Sequence, residues 1–224
     1  LWAVLFLQYQ PRFARPKEAV MIVLEPFTED DFPQLIAWIN SERLLKTWGG
    51  AQFTYPLTAE QLRRYLHGAN GPQRPAALIY KAVDTRRKAT IGHIALGHLN
   101  WEERTGRIAQ VLVGEVARRG QGLGQAVVQA LLYKAFGELG LQRVGLGVYD
   151  FNSAALRCYQ RCGFQHIGTL RHVARYGEEW WSSVEMSLQA YEWRDLSRAA
   201  APASHRGMPA VGPFSGNTGG RALG

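Results

Sequence analysis

The sequence predicts a mixed α/β domain over residues 21–193, and three observations carry that prediction. Apolar residues along this span switch repeatedly between a two-residue and a 3.6-residue period. Two Thr-led helix starts, Thr28 with Asp31 and Thr58 with Gln61, punctuate its first third. A glycine-rich junction, Arg119, Gly120, Gln121, Gly122, Leu123 and Gly124, separates a strand-like apolar run from a helix-like one.

The elements follow in order. Met21 to Leu24 begins a clean strand over about 21–25. Thr28 then caps a helix that places Phe32, Leu35, Ile36 and Ile39 at helical spacing. Leu44, Leu45, Trp48, Phe53 and Tyr55 mark a short helix and loop, and Thr58 opens a helix through Leu62, Tyr65 and Leu66. Strands are expected at about 76–84, 90–99 and 106–113, with Arg86, Arg87 and Lys88 on a solvated hairpin tip between the first two. A helix over 124–139 buries Val127, Val128, Leu131, Leu132, Ala135, Phe136 and Leu139, and Gly140 stops it. Then come a strand at 142–148, a helix at 153–162 stopped by Gly163, and strands at 164–173 and 181–189.

Both ends read differently. Seven apolar residues, Leu1 to Leu7, are too few to cross a bilayer, which takes about 20. Met21 is the expected natural start, with 1–20 a disordered or mis-called extension. The Gly/Pro/Ala-rich stretch 194–224 buries too little apolar surface to offset its ordering entropy, so it is expected to be disordered.

The 224 residues carry a net charge of +8, of which about +2 lies in 1–20 and +3 in 194–224. The modestly positive body suits a polyanionic small ligand and argues against nucleic acid as partner. Cys158 and Cys162 stand four apart on a helix, and the six histidines are scattered, so no metal and no disulfide framework are expected. Free thiols fit a cytoplasmic location.

The glycines leave the backbone uncovered where a helix presents its positive end, which suits a phosphate. A Walker A loop is excluded, since Gln125 and Ala126 stand where Lys and Ser/Thr are needed. A dinucleotide fingerprint fails on spacing. The pattern Gln/Arg-x-x-Gly-x-Gly/Ala is met by Arg119, Gly122 and Gly124. That loop resembles the acetyl-CoA loop of the GCN5-related N-acetyltransferases (GNAT). A second signature agrees: Asn152, Tyr159, Gly163 and Phe164 match the family's Asn-x6-Tyr-x3-Gly-Phe element. The stretches Leu24 to Asp31, Gly168 to Arg171 and Val184 to Leu188 resemble the branch containing the ribosomal-protein alanine acetyltransferases.

The resemblance implies the GNAT acyl-CoA N-acyltransferase fold, a mixed, mostly antiparallel sheet of about seven strands flanked by about four helices. It implies acetyl-CoA as co-substrate and an N-acetyltransferase activity (EC 2.3.1 class) toward a primary amine, by direct attack in a ternary complex. The acceptor is a protein N-terminus or a small molecule, with no membrane partner, and the enzyme is a monomer or homodimer. Main-chain groups of Gly120, Gln121, Gly122, Leu123, Gly124 and Gln125 would bind the pyrophosphate. Arg119 either meets a phosphate or faces solvent. Val111, Leu112 and Val113 would hold the pantetheine arm where their strand splays from the next. Asn152 and Ala155 would touch the same arm, Asn152 also capping its helix. Tyr159 would protonate the departing thiolate or simply pack on the sheet. The strand 106–113 lacks the carboxylate that many relatives place there, which leaves Glu103 as candidate base, with Glu102 beside it, His98 nearby and Glu185 on a late strand. It also leaves a coenzyme-binding sensor without turnover as the alternative function. Trp48, Phe53, Tyr55, Arg175, Tyr176, Trp180 and Trp181 are candidates for the acceptor cleft or for core.

Overall fold

A computed structural model describes residues 21–114 and 120–199. Strands β1 (Ile22–Pro26), β2 (Leu78–Asp84), β3 (Ala89–Asn100), β4 (Thr105–Val113), β5 (Arg143–Tyr149), β6 (Gln165–Tyr176) and β7 (Glu179–Gln189) form one sheet in the order β1-β2-β3-β4-β5-β7-β6. Every neighbouring pair is antiparallel except β4–β5. That exception follows from the chain path: β4 and β5 are joined by a crossover through a helix, whereas β2, β3 and β4 are joined by tight turns.

Among the described residues six α-helices flank the sheet where about four were expected: α1 (Phe32–Trp38), α2 (Glu42–Gly49), α3 (Ala59–Leu66), α4 (Leu123–Leu132), α5 (Ser153–Arg161) and α6 (Ala190–Ala199). Thr28 does form a capping box with Asp31, but around a 3-10 turn, Glu29–Asp31, that feeds α1. Thr58 accepts from the Gln61 N–H at the start of α3. Helix α4 ends in a π-turn, Tyr133–Glu138, where the Leu139 N–H reaches back to the Lys134 carbonyl.

Helix α6 occupies the first residues of the segment expected to be a disordered tail. The Glu192 carboxylate accepts from the Gln189 N–H at its start, and the Trp193 ring packs 5.5 Å from Phe136. The breaker-rich composition that suggested disorder begins only after it, in residues outside the described range, and the expected extension 1–20 lies outside that range as well.

The sheet separates two cores. On one face Ile94, Leu96, Ile108, Val144, Leu146 and Leu188 pack against α4 and α5. On the other, Ile79, Ala95 and Leu112 pack under α1–α3 with Phe32, Leu35, Leu45, Trp48 and Leu62. The second core covers only the β2–β4 half of its face.

Candidate active site

The site begins as a mismatch between two strands. Pairing of β4 with β5 runs only from Thr105–Arg143 to Ile108–Leu146, and the strands part beyond it. At the same level β4 bulges: His93 pairs with Leu112 and Ala95 with Ala109, so Gln110 and Val111 together oppose Ile94. Gln110 has φ +47°, a left-handed conformation that a side chain disfavours. The extra residue inverts the alternation of faces. Ile108 and Leu112, four apart, lie in opposite cores, while Val111 and Val113 join the α4 side.

Two donors fix the bulge. The Gln110 carbonyl accepts from Trp48 Nε1 on α2 and lies 2.9 Å from His93 Nδ1 on β3, each contact 2.9 Å long. A carbonyl only accepts, so Nδ1 carries the proton. His93 is fully enclosed, and burial first of all pulls its pKa down to about 4, against upward contributions from the Gln110 bond and Asp31. The ring is therefore neutral at physiological pH.

On the α4 side, the chain returns from the fork through the glycine loop. Gly120 and Gly122 have φ of +83° and +82°, which suits glycine, and beyond its chain neighbours a Cβ at either would meet no atom of the described residues within 4 Å. Gly122 is the N-cap of α4 and offers no side-chain oxygen, so the N–H groups of Leu123, Gly124 and Gln125 receive no cap from it. A helix start without a side-chain cap from its N-cap residue suits an anion. Tyr159 on α5 packs in the same core as Val111 and Val113. Burial raises its phenol above the ordinary value, so it stays protonated at neutral pH.

The opposite face of the fork carries charge. Just past the last β4–β5 pair, Gly147 of β5 lies opposite Glu185 of β7. The Glu185 carboxylate accepts from Ser183 Oγ and from Arg107 Nη2, both at 2.8 Å. A Cβ on Gly147 would fall 2.7 Å from Glu185 Oε1, so glycine is what lets the carboxylate lie over the strand at the mouth of the fork. Further along this face, Arg43 of α2 forms a two-bond pair with Glu179 and lies 5.3 to 5.5 Å from the Phe151, Tyr176 and Trp181 ring centroids. Trp181 Nε1 also donates to Glu179, at 3.0 Å.

A family model described as an acetyltransferase (GNAT) domain matches residues 22–165. The chain belongs to the GNAT acetyltransferase family. Among its curated relatives, aminoglycoside N(6')-acetyltransferase type 1 of Klebsiella pneumoniae is 27% identical over 154 residues, 66% of this chain and 76% of that protein. Human alpha/beta-tubulin-N-acetyltransferase 9 is 24% identical over 159 residues, 66% of this chain and 74% of that one. Among solved structures, spermidine N-acetyltransferase from Vibrio cholerae in complex with CoA and spermine superposes with a TM-score of 0.66 at 19% identity. The match covers 77% of this chain and 98% of that one. The protein is thus a GNAT-fold acetyltransferase of the EC 2.3.1 class.

Within this GNAT domain the expected residues fall into groups. Val111, Leu112 and Val113 lie at the fork, and Gly120, Gln121, Gly122, Leu123, Gly124 and Gln125 form the turn into α4. Leu123 reaches it only through its backbone, because its side chain is buried in the core. Asn152 caps α5 by accepting from the Ala155 N–H at 3.2 Å, which commits the one main-chain donor Ala155 has. Arg119 lies outside the described residues. Glu103 is not brought to the site: it is exposed in the turn between β3 and β4, its N–H bonded to Asn100 Oδ1, at the end of β4 remote from the glycine loop. Glu102 shares that turn, and His98 is exposed near the same end of β3. Trp48 and Phe53 are core residues, stacked at 5.1 Å, and Trp181 is also buried, with Arg43 over its ring, whereas Tyr176 is half-buried beside the same guanidinium.

Sequence reasoning passed over His93, Arg107 and Arg43. A signal existed for the Arg107 group: in Arg143–Tyr149 every second residue is apolar, and Gly145 and Gly147 occupy the other face. A strand face of glycines leaves room above it for neighbouring side chains.

No helix among the described residues is long and apolar enough to cross a membrane.

Proposed function

We propose that this domain transfers the acetyl group of acetyl-CoA to a primary amine by direct attack in a ternary complex. The observation that carries the reading is the β4–β5 gap with an anion-suited loop on one face and a carboxylate, Glu185, at its mouth on the other. A thioester laid through the gap from the α4 side presents its carbonyl to an amine arriving over Gly147. Main-chain amides from Gly120 to Gln125 hold the diphosphate, and the fork edges of Val111 and Val113 hold the pantetheine arm.

The amine nitrogen forms a bond to the thioester carbon and the carbon–sulfur bond breaks. The proton lost by the amine passes to Glu185, directly or through water, and the thiolate takes a proton from Tyr159. Acid and base thus stand on opposite faces of one sheet, matched to the sides from which sulfur leaves and nitrogen arrives. Arg107 and Ser183 donate to the two Glu185 oxygens and aim them. A carboxylate from β7 answers the absence of one on β4, which was the reason to consider a coenzyme sensor without turnover.

The aminoglycoside and spermidine acetyltransferases among its relatives support a small-molecule amine as acceptor, and the tubulin enzyme keeps a protein amine in play. A cytoplasmic monomer or homodimer belongs to the same reading.

Calorimetry with acetyl-CoA, followed by an amine screen read by product mass, tests it. No heat with acetyl-CoA or free CoA defeats the proposal. Glu185→Gln is expected to lower kcat/KM about a hundredfold while leaving CoA affinity intact. A full-rate variant removes Glu185 from the chemistry.

A further inference from the structure

We propose that Trp48 and His93 are positioning residues that hold the β4 bulge in its working shape by clamping the Gln110 carbonyl from two elements. The inference rests on the acetyltransferase reading and adds to it what sets the geometry of the fork.

The bulge does not hold itself. Gln110 is a side-chain-bearing residue at φ +47°, where contacts with its own Cβ are unfavourable. It also lies past the last β4–β5 pair and within the register break against β3, so the regular ladder gives it little support. Its carbonyl oxygen has two lone pairs, and the structure supplies one donor for each: indole Nε1 of Trp48 and imidazole Nδ1 of His93, both at 2.9 Å. The donors come from opposite sides of the second core, α2 and β3, and Trp48 and His93 lie edge to face with centroids 5.4 Å apart. The Gln110 side chain adds a weaker contact to Gln52, at 3.3 Å.

The consequence for the fork follows from peptide planarity. In a trans peptide the carbonyl of Gln110 and the N–H of Val111 point in opposite directions. Drawing the carbonyl toward β3 and α2 turns the Val111 N–H toward the edge that β5 has left. A thioester carbonyl lying in the fork then meets a fixed donor, which polarises it in the ground state and stabilises the oxyanion more strongly as charge develops.

The test uses the full chain and acetyl-CoA carrying 13C at the acetyl carbonyl. Binding to the unaltered protein lowers the thioester carbonyl stretch in difference infrared spectra. Trp48→Phe keeps the ring and removes one donor; His93→Leu removes the other. Each is expected to return the stretch toward its free value and to lower kcat about tenfold with the best amine of the screen, while CoA affinity changes less than about twofold. His93→Asn, whose amide N–H reaches the position of Nδ1, restores both. A purely structural role would lower melting temperature and active fraction yet leave the stretch of the bound thioester where it was. An unmoved stretch and undiminished kcat in Trp48→Phe overturn the clamp. If the unaltered protein binds no acetyl-CoA, the acetyltransferase reading fails on its own. The clamp is then judged by hydrogen exchange at Val111, which speeds up in Trp48→Phe if the peptide is held and stays the same if it is not.

Discussion

Acidification is expected to destabilise this fold through one side chain, His93. Its imidazole is enclosed between Phe27, Trp48 and Tyr65, with centroids at 4.8, 5.4 and 5.9 Å, and Nδ1 is committed to the Gln110 carbonyl. Nε2 is buried without a partner among the described residues, so a proton added there finds no acceptor. Burial holds the folded pKa near 4, whereas the unfolded ring titrates at about 6.5. Between these values the unfolded chain binds a proton that the folded chain refuses, so stability rises with pH and is lost as pH falls through the ordinary histidine range. The loss is about 2 kcal/mol at pH 5 and about 3 kcal/mol at pH 4, against a typical total of about 5–15 kcal/mol. The four other described histidines are exposed, so the effect belongs to this site. Urea unfolding at pH 7, 6 and 5, compared with His93→Gln, reads it: the variant is less stable at pH 7 but should lose far less between pH 7 and 5. Parallel pH slopes in the two proteins would refute the reasoning.

Three further outcomes are expected. Gly122→Trp puts a large side chain at φ +82° into the space before α4 and should weaken CoA binding by at least about a hundredfold in calorimetry; unchanged affinity would remove the loop from the site. Tyr159→Phe should lower kcat about a hundredfold with the CoA dissociation constant intact, and a full-rate variant would exclude the phenol as proton donor. Arg43 holds the Glu179 carboxyl below its usual range, helped by Trp181, so their pair persists above that range and opens only as pH falls through the lowered value. Arg43→Ala should therefore speed proteolysis of the β6–β7 hairpin at pH 7 and raise the acceptor KM severalfold, and an unchanged cleavage rate would show that the hairpin is held by other contacts.

What could be read in advance depended on how local the cause was. Strand and helix periods, the Thr caps and the Gly140 stop are set by neighbours in sequence, and all seven strands lie where those patterns put them. Gly120 and Gly122 were legible for the same reason: their role is a backbone conformation. The bulge was not, because Gln110 in Ile108–Val113 looks like one polar residue in a buried strand. Its φ is maintained by a ring 62 positions earlier in the chain and another 17 earlier. Glu185 was named among several acids, but only the pairing of β7 with β5 distinguishes it from Glu103, which stands at the opposite end of β4. The tail misled because composition was averaged across a boundary: Trp193 and Glu192 give α6 its packing and its cap before the breakers begin.

Helix α2 connects the two halves of this site. Near its start Arg43 grips Glu179 on the β6–β7 side, and near its end Trp48 holds the Gln110 carbonyl at the fork. The helix is only eight residues long, and its Leu45 is fully buried, so it moves as a rigid unit if it moves at all. The two contacts differ in strength of hold. The arginine pair is half exposed and screened by salt, whereas the indole bond is enclosed in the core. An acceptor that displaces Arg43 from its three rings therefore meets little resistance at that end, while the fork stays fixed by the other. Under the proposed function, this asymmetry lets the acceptor surface adapt without disturbing the donor proposed to face the thioester. It predicts that substitutions at Arg43 change which amines are used, and that substitutions at Trp48 change how fast every amine reacts. A panel of amines assayed on Arg43→Ala and Trp48→Phe decides it: rates falling by one common factor in Trp48→Phe and by unequal factors in Arg43→Ala fit the division, and the reverse pattern excludes it.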